Sequence, residues 1–137
     1  MAQYEDCIIF LLAKAYQKAH GNFKRHLLPH DLTPVQHLIL EPLWDEDGLT
    51  ASEIGKRLTL DNATLSGILD RMSEKGWLRK SPDEKDKRFI RIYLTQKAEN
   101  LKPELVKERE ASNEEILGDL SLEEKVLLKR LLREIRD

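Results

Sequence analysis

Apolar positions recur every three or four residues through the first part of the chain, a spacing typical of an amphipathic α-helix. The apolar stripe of this first helix consists of Ile9, Leu12, Tyr16, Ala19, Phe23 and Leu27. Pro29 and the His30-Asp31 pair end it, because proline cannot continue a helix. A second helix begins at Thr33-Pro34 and runs to about Asp45, before a turn at Asp47-Gly48.

Three helix starts carry Ser or Thr followed three residues later by Glu or Gln, which is the capping-box pattern. They are Thr33 with Gln36, Thr50 with Glu53, and Ser121 with Glu124. The second and third of these predict a short third helix over about 51–58 and a last helix over about 122–136.

Between these helices the pattern changes twice. Asp61 or Asn62 caps a fourth helix that ends at Gly76, and its apolar side consists of Leu65, Ile68, Leu69 and Met72. Residues 77–81 and 89–94 are rich in aromatic and β-branched residues and flank a charged loop, which predicts a β-hairpin. Thr95 then caps a long fifth helix, kinked or restarted at Pro103.

This order of elements predicts a mainly α protein with a small β-hairpin. The third and fourth helices form a helix-turn-helix and the hairpin forms its wing, from about Thr50 to Leu94. We expect one domain, with a winged helix-turn-helix region over 33–94 and helical segments over 1–32 and 95–137. The apolar stripes of these terminal segments exceed what the winged region covers, so we expect them to join two copies into a homodimer.

Charge is distributed unevenly along the chain. The whole chain carries a net charge of −2, yet residues 50–94 hold ten Lys and Arg against seven Asp and Glu, a net charge of +3. A protein of this balance binds nucleic acid only if its positive charge is concentrated locally. The segregation therefore favours a duplex-DNA reader.

The fourth helix carries small and polar side chains opposite its apolar side. They are Asn62, Ala63, Thr64, Ser66, Gly67 and Arg71. A helix entering a major groove needs a slim, hydrogen-bonding surface of this kind. The competing interpretation is an ordinary solvated helix face.

The tip of the predicted wing is strongly charged. Lys85, Lys87 and Arg88 lie where they reach phosphates or a narrow minor groove, and Asp86 is spaced to hold the Arg88 guanidinium. A solvated loop is the alternative, and it is disfavoured because a helix-turn-helix lies directly upstream.

Taken together, these motifs resemble the MarR family of multiple antibiotic resistance regulators. The matching pieces are Leu32-Thr33-Pro34-Val35-Gln36, Leu49-Thr50-Ala51-Ser52-Glu53-Ile54, Leu60-Asp61-Asn62-Ala63-Thr64-Leu65-Ser66, Leu69-Asp70-Arg71-Met72, Lys75-Gly76-Trp77-Leu78, Asp86-Lys87-Arg88 and Leu94-Thr95. The resemblance implies a homodimeric repressor or activator that binds a pseudo-palindromic operator and is released by a small ligand, oxidation or a metal. It implies that residues 62–67 meet the major groove, and that Arg88 enters the minor groove with Asp86 as its partner. Gly55 departs from the family's usual alanine, and we expect it to let the third and fourth helices approach closely.

Cys7 is the single cysteine, so no internal disulfide forms, which favours a reducing compartment. The longest near-apolar run, residues 7–13, is too short to span a membrane, and we expect a cytoplasmic protein without a cofactor. Peroxide-sensing branches of the family use a cysteine near the position of Cys7, which keeps oxidation sensing open as an alternative. The other interpretation is a small buried side chain.

Four histidines lie within the first 37 residues, but their spacing does not match the zinc-sensing branch, and we expect no metal site. In ligand-binding relatives a pocket involves the first two helices, which implies that Tyr16, His20, His37 and Trp44 line a site for a small aromatic ligand. The sequence shows no nucleophile–base pair or phosphate loop, so we expect no enzyme. A protein–protein adaptor is the remaining alternative, and it would not need three basic residues at the wing tip.

Overall fold

The computed structural model describes residues 2–137, and within them it contains seven α-helices and one two-stranded hairpin. The elements are α1 (Ile8–Leu27), α2 (Pro34–Asp45), α3 (Ala51–Leu58), α4 (Asn62–Glu74), β1 (Leu78–Pro82), β2 (Ile90–Leu94), α5 (Gln96–Asn100), α6 (Lys102–Leu117) and α7 (Leu122–Arg136). Short 3-10 helices cover Gln3–Asp6 and Leu28–His30. The predicted mainly α fold with a small hairpin is confirmed.

Side-chain caps begin the helices where the sequence predicts them. Thr33 Oγ1 accepts from the backbone N–H of Gln36 at 3.2 Å, and Gln36 Oε1 accepts from the backbone N–H of Thr33 at 3.0 Å. At α3 the predicted capping box is wrong in one of its two hydrogen bonds. Glu53 Oε1 accepts the hydroxyl proton of Thr50 at 3.0 Å instead of a bond from the Thr50 backbone N–H.

The region after the hairpin forms two helices. α5 ends at Asn100, and α6 begins at Lys102 with Pro103 as its second residue. Proline has no N–H to donate to the carbonyl four residues earlier, so it is tolerated only in a first helical turn. Of the two alternatives predicted for Pro103, a kink or a restart, the structure has the restart.

The chain divides into two compact units. One comprises residues 2–26 and Lys107–Asp137, and the other comprises Leu27–Val106. The second unit buries the apolar side of α4 together with Ile54 of α3, Trp77 and Ile92 of the hairpin region. This core fixes α4 against α3 and the hairpin.

The hairpin is tied to the loop that precedes α3. β1 and β2 pair antiparallel with Leu78 opposite Leu94 and Lys80 opposite Ile92. The backbone N–H of Ile92 donates to Leu49 O at 2.8 Å, and the N–H of Gly48 donates to Ile92 O at 3.0 Å. Strand β2 is therefore hydrogen-bonded to β1 on one edge and to residues 48–49 on the other.

In the first unit a polar cluster joins α1 to α6. His26 Nε2 lies 2.9 Å from Glu115 Oε2, Asn22 Nδ2 donates to the same oxygen at 2.7 Å, and the Ser112 hydroxyl donates to Asn22 Oδ1 at 2.7 Å. The hydrogen bonds from His26 and Asn22 lower the pKa of the Glu115 carboxyl.

Large apolar side chains remain exposed on α1 and α7 in this single chain. They are Ile8, Ile9, Leu11, Leu12 and Tyr16 on α1, and Leu122, Val126, Leu127, Leu131, Leu132 and Ile135 on α7. Exposed apolar area of this extent marks a surface that meets another molecule.

Candidate nucleic-acid interface

α4 divides cleanly into a buried and an exposed side. Its apolar residues Leu65, Ile68, Leu69 and Met72 are buried as predicted. The side chains of Asn62, Ala63, Thr64, Ser66 and Arg71 are exposed, and Gly67 is half-buried. The exposed side is slim and polar, which is the surface that a major groove admits.

The turn between α3 and α4 is tight. A Cβ at Gly55 would lie 3.1 Å from Leu60 O and 3.4 Å from Leu65 Cδ2, closer than most side chains approach. This agrees with the expectation that glycine at position 55 lets the two helices approach closely. Thr59 ends α3 with φ 56°, a left-handed conformation that is rare for a β-branched residue.

Asp61 is the residue that caps α4. Its Oδ1 accepts from the backbone N–H of Thr64 at 2.8 Å, and its Oδ2 accepts from the Thr64 hydroxyl at 2.8 Å. These two bonds, the backbone one most strongly, lower the pKa of the Asp61 carboxyl. The sequence predicted a cap at Asp61 or Asn62 but gave no sign of the second bond.

The wing carries the predicted Asp86–Arg88 pair. Arg88 Nε donates to Asp86 Oδ1 at 3.0 Å, and Arg88 Nη2 donates to Asp86 Oδ2 at 2.8 Å. The bonds from Arg88 lower the pKa of the Asp86 carboxyl. The Arg88 side chain is 86% exposed, so the carboxylate orients a guanidinium that solvent still reaches. Lys85 and Lys87 are exposed beside it.

Further polar contacts hold the wing, and sequence reasoning missed them. Lys80 of β1 forms an ion pair with Asp70 of α4, and Arg91 Nη1 of β2 donates to Gly48 O at 2.8 Å. These partners lie ten or more residues apart, so no local spacing rule identifies them. A cavity between α3, α4 and the wing is lined in part by Asn62, Ser66 and Arg88, which brings predicted residues of helix and wing together.

The residues predicted for an effector pocket fall into two ring pairs. Tyr16 and His20 lie with ring centroids 5.5 Å apart in the first unit, and His37 and Trp44 lie 5.6 Å apart in the second. His37 is fully buried, with its Nε2 2.6 Å from Glu41 Oε1. The grouping of all four residues around one ligand stays a prediction.

Cys7 is exposed in the single chain. The single chain therefore does not bury this thiol as a small apolar side chain. Its proposed redox role stays a prediction. Across residues 2–137, no three His, Cys, Asp or Glu side chains are arranged to hold a metal ion. No helix in the described part of the chain is long and apolar enough to cross a membrane.

Comparison with known proteins decides the family. The MarR family model matches residues 32–90. The HTH-type transcriptional repressor NicR of Pseudomonas putida is 30% identical over 127 residues, which cover 93% of this chain and 80% of NicR.

The chain belongs to the MarR family.

Another relative is the HTH-type transcriptional regulator TtmR of Methylorubrum extorquens, 39% identical over 94 residues. That match covers 69% of this chain but only 47% of TtmR. These relatives are transcriptional regulators and not enzymes, and this MarR-family chain is a transcriptional regulator as well.

Two solved MarR-type structures resemble the whole chain. BpsR of Bordetella bronchiseptica, whose DNA binding is regulated by 6-hydroxynicotinic acid, superposes with a TM-score of 0.93 at 27% identity and covers 100% of this chain and 98% of its own. A mutant MarR from E. coli in complex with operator DNA superposes with a TM-score of 0.88 at 25% identity and covers 98% and 99%.

Proposed function

We propose that this MarR-family regulator is a homodimeric repressor that binds a pseudo-palindromic operator and is released by a small aromatic acid. One observation carries the DNA-reading part of the proposal. An exposed polar helix face and an exposed, oriented arginine lie in the same compact unit, on α4 and on the wing.

In the proposed complex, α4 enters the major groove with its exposed side facing the base edges. Asn62 is suited to bidentate contact with adenine, and Ser66 bonds either a base or a phosphate. Ala63 and Gly67 leave room for the groove wall, and Arg71 lies further along the same side for a phosphate contact. The MarR–operator complex, which this chain resembles over nearly all of its length, supports this role.

The wing is proposed to follow the adjacent minor groove. Arg88 inserts there because a narrow minor groove concentrates negative potential. Asp86 keeps the guanidinium in one orientation before DNA arrives, and Lys85 and Lys87 bind flanking phosphates. Three basic side chains at the tip favour this role over that of a protein–protein adaptor.

The exposed apolar residues of α1 and α7 support the proposed homodimer. A second copy is the occupant that such a surface fits, since two-fold pairing covers the same patch on both chains. Two α4 helices would then lie about one DNA turn apart, ~34 Å, on a pseudo-palindrome.

The effector and the direction of regulation are proposed from relatives. BpsR responds to 6-hydroxynicotinic acid, a small aromatic acid, and NicR is a repressor. By analogy, this chain would hold its operator in the free state and leave it when an acid of this class binds.

Selection of DNA fragments by the purified protein tests the proposal. We expect enrichment of duplexes that share a two-fold symmetric motif, and loss of their binding as 6-hydroxynicotinic acid is titrated in. Sodium acetate at equal ionic strength, an acid salt without an aromatic ring, controls for salt. Failure to enrich any motif would contradict the DNA-reading role, and insensitivity to pyridine and benzene carboxylates would contradict the effector class alone.

A further inference from the structure

Thr64 occupies the first turn of α4, and both of its hydrogen-bond donors are committed to one carboxylate. The backbone N–H of Thr64 donates to Asp61 Oδ1 and the side-chain hydroxyl donates to Asp61 Oδ2, each at 2.8 Å. Thr64 is nevertheless exposed on the side of α4 that carries the other polar residues. The residue is therefore open to solvent while its hydroxyl proton is already bound.

The direction of the hydroxyl bond is fixed by the chemistry of its partner. An ionised carboxylate accepts hydrogen bonds and donates none, and the bonds from Thr64 lower the pKa of Asp61 so that it stays ionised at neutral pH. A threonine hydroxyl has one proton and two acceptor lone pairs. With the proton directed at Asp61, only the acceptor capacity remains for a ligand.

The major groove distinguishes bases by the direction of their hydrogen bonds. Adenine N6 and cytosine N4 are amino donors, whereas guanine O6 and thymine O4 are acceptors. A hydroxyl that can only accept a hydrogen bond interacts favourably with the amino groups of adenine and cytosine. It faces a second acceptor at guanine O6 or thymine O4. The contact with guanine or thymine is disfavoured, because it leaves two buried acceptors without a hydrogen-bond donor.

We propose that Thr64 is a specificity-determining residue whose hydrogen-bond direction is set by Asp61, so that it selects adenine or cytosine at one position of each operator half-site. This inference rests on the proposed function, because it requires α4 in the major groove. Asp61 acts through Thr64 and is a positioning residue.

Ser66 is a useful contrast on the same side of α4. Ser66 is exposed, and within residues 2–137 its hydroxyl is not committed to another protein group, so it can either donate or accept. The sequence shows two similar hydroxyl residues at positions 64 and 66. Only the contact with Asp61 makes their hydrogen-bonding abilities differ.

Asp61→Asn isolates the direction of the bond. Asparagine caps a helix about as well as aspartate, and its Oδ1 still accepts from the Thr64 backbone N–H. Its Nδ2 is a donor and no longer takes the Thr64 proton, which becomes available to guanine O6 or thymine O4. Glu74→Gln, at the other end of α4, removes the same charge away from Thr64 and is the matched control.

The test is selection from a randomised duplex library with the wild type, Asp61→Asn, Glu74→Gln, Thr64→Val and Thr64→Ser. We expect one half-site position at which the wild type prefers adenine or cytosine. At that position Thr64→Val loses the preference, Thr64→Ser keeps it, and Asp61→Asn lowers the amino-to-keto ratio by about fivefold, the effect of one hydrogen bond. Glu74→Gln leaves every base frequency unchanged, although it raises affinity for all duplexes.

Three results would overturn the inference. One is a guanine or thymine preference at the position that Thr64→Val alters. The second is a wild-type motif that neither Thr64→Val nor Asp61→Asn changes, with circular dichroism confirming that both variants fold. The third is an equal change in Glu74→Gln, which would assign the effect to charge. If the wild type enriches no motif, the proposed function itself fails, and this inference fails with it.

Discussion

Gly67 lies in the middle of α4, where glycine costs ~1 kcal/mol relative to alanine. Among the described residues, a Cβ built there would meet only Arg71 Nη1, at 3.7 Å, which is ordinary contact. Packing within the described chain therefore does not require glycine at this position. The proposed close approach of DNA would account for it.

We expect Gly67→Ala to raise the free energy of unfolding by roughly 0.5–1 kcal/mol while it weakens operator binding. Thermal unfolding and a binding titration on the same sample measure both effects. Gly48→Ala is a control of opposite sign for stability, because Gly48 has φ +81° and its Cβ would lie 2.9 Å from Tyr93 Cε1. Unchanged operator affinity in Gly67→Ala would be evidence against DNA contact at this residue.

At this scale the sequence predicts bonds between near neighbours. The caps at Thr33 and Ser121 follow from residue type and a spacing of three, and the cap at Thr95 follows from residue type alone. The hydroxyl bond from Thr64 to Asp61 and the exposure of Cys7 do not follow in this way. The first depends on a side-chain torsion and the second on which residues pack nearby, and neither is written in the local pattern.

Among the elements, the wing has the sharpest functional prediction. Arg88 is the exposed cation that Asp86 orients toward the proposed minor groove. We expect Arg88→Ala to weaken operator binding by ~1–3 kcal/mol and to lower the slope of log affinity against log salt by about one.

Titrations of a selected operator at several salt concentrations measure both quantities for the wing. Arg133→Ala, which removes the same charge from α7, should change neither by a comparable amount. If the two variants behave alike, or if Arg88→Ala matches the wild type, the wing does not contact DNA at Arg88.

Elements with strong local signals agree closely with their predicted bounds. α3 and α7 lie over 51–58 and 122–136 as predicted, because a cap begins each of them and periodicity defines its length. The strands lie one residue later at their starts than predicted, over Leu78–Pro82 and Ile90–Leu94. Pairing with the partner strand sets those limits, and the long-range contacts of Lys80 and Arg91 depend on that pairing too.

For the whole molecule, the main feature is the set of large apolar residues on α1 and α7 that stay exposed in one chain. The sequence identifies their stripes through helical spacing, since apolar residues recur on one face of each helix. It does not specify how a second copy covers them, because pairing between chains depends on surface shape. The proposed dimer makes a geometric prediction about DNA that a monomer does not make.

Hydroxyl-radical footprinting on a selected operator tests the central claim most directly. We predict two equivalent protected tracts whose centres lie about 10 base pairs apart, each flanked by a protected minor-groove segment that Arg88→Ala exposes again. A single protected tract would contradict the paired readers. Protection that Arg88→Ala leaves intact would contradict the wing contact, and an operator without protection would contradict the DNA-reading role as a whole.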